Sequence, residues 1–220
     1  MTRFLLALPL FLAASIACCE DRPPQTAEEW FSAVEARYKS AKTVHLKVET
    51  RHTNPATRLV VWYGGDQGYR VETLGADERV TETTICDGKS VQSLDAEGKP
   101  SDPLGKAAPG IEAWGRHLLV RFGYDWDEME TGEREIPIQD LKLAGEEEVD
   151  GRPCVVLEWT ALYAMLAITP IPQKVWIDKE TLAIVRRERP GQSETHTELY
   201  TDTKFDAEPP ADAFRIEAGK

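Results

Sequence analysis

The spacing of apolar residues takes three different forms along the first fifty positions. Phe4 to Ala17, FLLALPLFLAASIA, is an uncharged run with no amphipathic period. Thr26 and Glu29 then form a capping-box pair ahead of Trp30, Val34, Tyr38 and Ala41, an apolar stripe at helical spacing. From Thr43 the period becomes two. Val44, Leu46, Val48 and Thr50 alternate with His45, Lys47, Glu49 and Arg51, the pattern of a strand with one buried face, and Asn54-Pro55 ends it.

Short strands separated by turn signals follow. Residues 58–63, 69–74, 79–86 and 90–95 are divided by Gly64-Gly65-Asp66, Gly75-Ala76-Asp77 and Asp87-Gly88-Lys89, with Glu97-Gly98 closing the series. Five successive strands with no helix between them predict an antiparallel meander. After Pro100, Pro103, Pro109 and Gly110, the residues Ile111, Trp114, Leu118 and Phe122 predict a second amphipathic helix. The acidic stretch 125–135 reads as a solvated loop. Residues 142–149, the turn Asp150-Gly151 and residues 152–160 read as a hairpin, and the nearly apolar segment 161–171 leads into strands at 173–177, 182–189 and 193–201. About nine or ten strands and two helices are expected in one domain, residues 28–220, with no linker dividing it.

Charge narrows the partners. Lys and Arg number 26 against 38 Asp and Glu, for a net charge of -12, so nucleic acid is disfavoured as a ligand. Arg3 followed by the run 4–17 is too short for a membrane span of roughly 20 residues and has the form of a secretory h-region, so residues 1–17 are read as an export signal. At Ser15-Ile16-Ala17-Cys18-Cys19 two readings stand: ordinary signal cleavage after small residues, or a lipobox in which Cys18 is acylated. The second is favoured, with residues 18–27 as lipidated cysteine and tether, a membrane anchor, and a periplasmic or cell-surface location. In the folded body, Cys86 and Cys154 are either a disulfide of an oxidising compartment or two separate buried thiols.

Catalytic patterns are missing from the sequence. The histidines at 45, 52, 117 and 196 lack metal-ligand spacing, and His45 and His196 read as outward imidazoles on strands. Gly191-Gln192-Ser193 lacks the second glycine of a nucleophile elbow. Asp125-Trp126-Asp127-Glu128 departs from a calcium loop at Met129 and Glu130, and Glu146-Glu147-Glu148 alternate across a strand. The expectation is a binding protein with no metal or cofactor, not an enzyme. Large apolar residues fall on both alternating faces: Val60 and Trp62 against Leu59, Val61 and Tyr63; Val155, Leu157 and Trp159 against Val156; Trp176 against Val175 and Ile177. Two readings follow, a core filled by its own side chains or an apolar cavity between sheet and helices.

The order of several local phrases resembles the LolA/LolB superfamily of periplasmic lipoprotein carriers and lipoprotein-sorting proteins. The phrases are Tyr38 to Leu46, Ile85-Cys86-Asp87-Gly88-Lys89-Ser90-Val91, Glu146 to Leu157, Val175 to Thr181, and Phe205 to Phe214. The resemblance implies an α+β fold: a single curved antiparallel sheet, an incomplete β-barrel, with helices covering its concave face. It implies an apolar cavity for an acyl chain, with a lipid or acylated protein as ligand and a role in cell-envelope lipid or lipoprotein trafficking or sensing. The lining expected from this reading is Trp30, Val34, Tyr38, Leu46, Val48, Ile111, Trp114, Leu118, Phe122 and Trp159. The alternatives are an envelope scaffold or sensor domain that binds no ligand and presents a surface to a protein partner, or an enzyme without a recognisable motif.

Overall fold

The computed structural model describes residues 22–51, 56–101, 105–106, 138–164, 168–190 and 194–216. Thr26 starts the helix α1, Ala27–Ser40: its Oγ1 accepts the Glu29 N–H at 3.2 Å, and the Glu29 carboxylate accepts the Thr26 N–H at 3.2 Å. Two N–H groups with no partner inside the helix are thereby satisfied. Trp30, Phe31, Val34 and Tyr38 form its buried face.

Twelve strands follow: β1 Val44–Thr50, β2 Thr57–Tyr63, β3 Tyr69–Leu74, β4 Val80–Cys86, β5 Ser90–Asp95, β6 Gly105–Lys106, β7 Ile138–Val149, β8 Arg152–Ala164, β9 Ile168–Asp178, β10 Ile184–Pro190, β11 Thr195–Tyr200 and β12 Lys204–Phe205. All pair antiparallel in one sheet, in the order β6-β5-β4-β3-β2-β1-β11-β10-β9-β8-β7, with β12 pairing β1. Two meanders therefore meet where β1 pairs β11. The consecutive strands β6 and β7 lie at opposite edges, and the sheet is open.

Local chemistry fixes the turns. Asp150 and Gly151 both have positive φ, 50° and 77°, between the paired residues Val149 and Arg152, the two-residue geometry whose twist suits a hairpin. Asp87 Oδ1 accepts the Ser90 and Lys89 N–H groups at 2.7 and 2.9 Å, and these bonds hold its carboxyl below the ordinary value. That makes Asp87-Gly88-Lys89 a structural turn, as its sequence implies. At Gly68, with φ 118°, a Cβ would lie 1.9 Å from the Cys86 carbonyl oxygen, so only glycine permits this approach.

The sheet has an inner face, which carries α1, and an outer face. Inward residues form one continuous cluster with the helix, in which Phe31 meets Trp159 edge-on at 5.4 Å and Tyr38 meets Phe205 at 4.9 Å. On the outer face Cys154, Val156, Trp176 and Val185 form a smaller cluster. Lys174 and Arg186 lie over the Trp176 ring at 4.7 and 4.6 Å, and its N–H donates to Glu147 at 2.8 Å. Both sheet faces thus use the apolar residues that the sequence placed on them.

Several expectations are corrected. Among the described residues there are twelve strands, because the two-residue strands β6 and β12 give too short a periodic signal. Among the described residues α1 is the one α-helix, so a cover of several helices is not seen. The helix expected at Ile111–Phe122, the acidic loop 125–135, the export signal and Cys18 lie outside the described residues. No disulfide joins Cys86 to Cys154; both are free and buried. Cys86 belongs to the inner cluster on β4 and Cys154 to the outer cluster on β8, with β3, β2, β1, β11, β10 and β9 between their strands. At about 4.8 Å per strand, that separation exceeds the roughly 7 Å between Cα atoms that a disulfide tolerates.

Candidate functional site

The helix stripe and the alternation of β1 and β8 bring six of the expected lining residues into one place. Trp30, Val34, Tyr38, Leu46, Val48 and Trp159 all join the inner cluster, each no more than 5% exposed. Ile111, Trp114, Leu118 and Phe122 lie outside the described residues. The cluster continues over the first meander through Val61, Tyr63, Tyr69, Val71 and Cys86, with Leu59 and Val91 packed against it. The inner face is therefore apolar on both sides of the β1–β11 junction. Tyr38 also ties the helix to the sheet, since its phenol oxygen accepts the Ile184 N–H at 3.1 Å, and burial pushes this phenol above its ordinary pKa.

Towards one end of the second meander the inner face turns polar, a feature that sequence reasoning missed. Which residues of β10 face inward there is set by a register shift. Ile184 opposes Ile177, Arg186 opposes Trp176 and Arg187 opposes Val175, so one extra residue stands between Ile184 and Arg186. Ile184 and Arg187 thus share the inner face, as Val185 and Arg186 share the outer one. Arg187, Arg189 and Glu198 are 1%, 6% and 2% exposed. A signal was available. Arg186-Arg187-Glu188-Arg189 lies in an interior strand, where alternation must turn two charges inward whichever parity is chosen.

The buried polar groups bond to one another. Arg187 Nε donates to Gln173 Oε1 at 3.0 Å, and the guanidinium groups of Arg187 and Arg189 lie 3.8 and 3.9 Å from the Glu198 carboxylate. Tyr200 donates its hydroxyl to Glu198 at 2.7 Å; burial first, then the neighbouring carboxylate, raises the Tyr200 pKa well above its usual value. Trp159 and Gln173 stand directly opposite each other on β8 and β9, each 2% exposed. The Trp159 indole N–H and the Gln173 amide nitrogen have no hydrogen-bond partner among the described residues. Paired with Arg189 in the ladder, His196 also falls on the inner side.

Of the two strand histidines expected to be outward, His196 falls on the inner face and His45 faces outward but is covered. His45 points to the outer face yet is 7% exposed, its ring 4.4 Å from that of Trp62 and its Nδ1 3.8 Å from Asp202. Burial lowers its pKa, with Asp202 opposing, Lys204 and Lys47 adding to the lowering, and Glu72 opposing. Folded protein therefore takes this proton later than unfolded protein does, so stability present above about pH 6.5 is lost as pH falls towards the folded pKa. Urea unfolding at pH 7.5 and 5.5 should show a smaller acid loss for His45→Gln than for wild type. An unchanged loss would place the effect in other groups.

Other features of the described residues carry less. No group of three His, Cys, Asp or Glu there could hold a metal ion. No helix there is long and apolar enough to cross a membrane. A depression of about 440 Å³ is lined by outward Lys142, Glu158 and Lys174, which pair at 3.0 and 3.8 Å, and also by Trp159, Gln173 and Arg189 of the inner polar region.

No protein-family model and no curated protein matches the sequence. Solved structures do. The lipoprotein LppX of Mycobacterium tuberculosis is 14% identical, with 84% of this chain and 98% of that one covered at a TM-score of 0.51. LprF of Mycobacterium bovis is 13% identical, with 88% and 97% covered at 0.54. The Pseudomonas aeruginosa MucA/MucB complex is 15% identical, covering 87% of this chain and 61% of that one at 0.50. At these identities the likeness speaks for the backbone arrangement alone: the chain has the fold of LppX and LprF.

Proposed function

We propose that the protein is an exported, lipid-anchored envelope protein that binds an acyl chain, or the lipid end of an acylated protein, on the inner face of its sheet. The observation that carries this reading is the continuous apolar inner surface, shared by α1 and both meanders of an open sheet. Burying each methylene contributes about 0.8 kcal/mol, so a long chain binds well without an ionic partner. Export and anchoring rest on the run 4–17 and on Ala17-Cys18. Binding, not catalysis, is the activity assigned.

Mass spectrometry of organic extracts from the protein purified out of its native envelope should give acyl lipids in near-stoichiometric amount. Absence of extractable lipid, together with no saturable binding of acyl probes, would overturn the reading. The second reading, a surface presented to another envelope protein, then takes its place; the fold shared with the MucA/MucB complex favours that one.

A further inference from the structure

We infer that the Trp159 indole N–H and the Gln173 amide N–H receive the carbonyl oxygen at the head of an acyl ligand, an assignment that rests on the acyl-binding function proposed above. The two side chains face each other across β8 and β9, where opposed Cβ atoms lie about 4.5–5.5 Å apart. Each is 2% exposed, and neither donor has a hydrogen-bond partner among the described residues. The orientation of the amide is not arbitrary. A guanidinium can only donate, so the bond from Arg187 Nε at 3.0 Å assigns Oε1 as acceptor and leaves the NH₂ as the unfilled end.

Buried donors without acceptors are unfavourable in a folded interior, and two on neighbouring strands call for one group with acceptor capacity and no donor. A carbonyl oxygen has two lone pairs and meets that description. Apolar side chains flank the pair along the inner face, the fully buried Leu157 and Val175 on one side and Ala161 with the partly buried Ile171 on the other, and the tail is assigned to the Ile171 side. Glu198 faces Arg187 and Arg189 with one negative charge against two positive ones, and the carbonyl is assigned to the two uncharged donors beside them. A free fatty acid and an acyl ester share the carbonyl, and the experiment separates them.

The test measures binding of oleic acid, methyl oleate and 1-octadecene to the full chain by calorimetry, with wild type, Trp159→Phe and Gln173→Glu. The first variant keeps an aromatic ring without its N–H; the second keeps the acceptor for Arg187 and removes the NH₂. Wild type should hold at least one carbonyl ligand about tenfold more tightly than the alkene, and each variant should lose about five- to tenfold more for that ligand than for the alkene. Preference for the acid over the ester identifies a free fatty acid, and the converse an ester. If wild type binds all three alike and the variants do not discriminate, the carbonyl site is overturned while acyl binding stands. If it binds none, both fail. Parallel loss of all three ligands with a lowered melting temperature in Trp159→Phe would assign packing alone to that residue and overturn its role as donor.

Discussion

Glu198→Leu is expected to destabilise the domain by about 3–5 kcal/mol, the usual loss when one partner of a buried charge cluster is removed. The carboxylate is 2% exposed, accepts the Tyr200 hydroxyl at 2.7 Å and faces both Arg187 and Arg189. Leucine supplies neither the charge nor the acceptor, so the buried guanidinium groups lose this carboxylate while remaining away from water. The paired change Arg187→Met with Glu198→Leu should recover much of the loss, because an apolar replacement of a buried pair avoids desolvating both ions. Urea unfolding of the two single variants and the double variant measures the coupling. A loss below about 1 kcal/mol for Glu198→Leu would mean that water screens these groups in the native state.

This cluster also marks where sequence legibility ended. The capping box at Thr26 and Glu29, the inward set Val44, Leu46 and Val48, and the hairpin at Asp150-Gly151 depend on contacts within a few residues, and each is in the structure as read. Pairing of β1 with β11 joins residues about 150 positions apart and has no local signal. The inner placement of Arg187 depends on one extra residue after Ile184, and a single slip in a period of two exchanges the faces. His45 failed for a related reason: alternation gave its face correctly, but the cover from Trp62 and Asp202 comes from other strands and segments. Of the expected lining, the residues on α1, β1 and β8 meet because amphipathic periods determine which way they point. The identity of the polar groups among them depends on register, which composition does not encode.

The second large effect is expected at the helix. Trp30→Ala should cost about 3–5 kcal/mol, as for other large aromatic residues truncated in a packed core. Trp30 is 5% exposed within the inner cluster, and its helix is held at both ends. The capping box fixes the first turn, and near the other end the Tyr38 oxygen accepts the Ile184 N–H at 3.1 Å while its ring packs on Phe205. A helix secured in this way cannot swing off the sheet to relieve a cavity without also breaking those bonds. The loss should therefore appear as a lower global unfolding free energy with an unchanged urea m-value, not as local fraying. Ser32→Ala, on the exposed side of α1, should change stability by less than about 0.5 kcal/mol. Hydrogen exchange separates the mechanisms: amides of α1 and of β8 should lose protection together in Trp30→Ala. Loss confined to α1 with β8 unaffected would show that the helix docks as an independent unit, and that the inner face can be uncovered without unfolding the sheet.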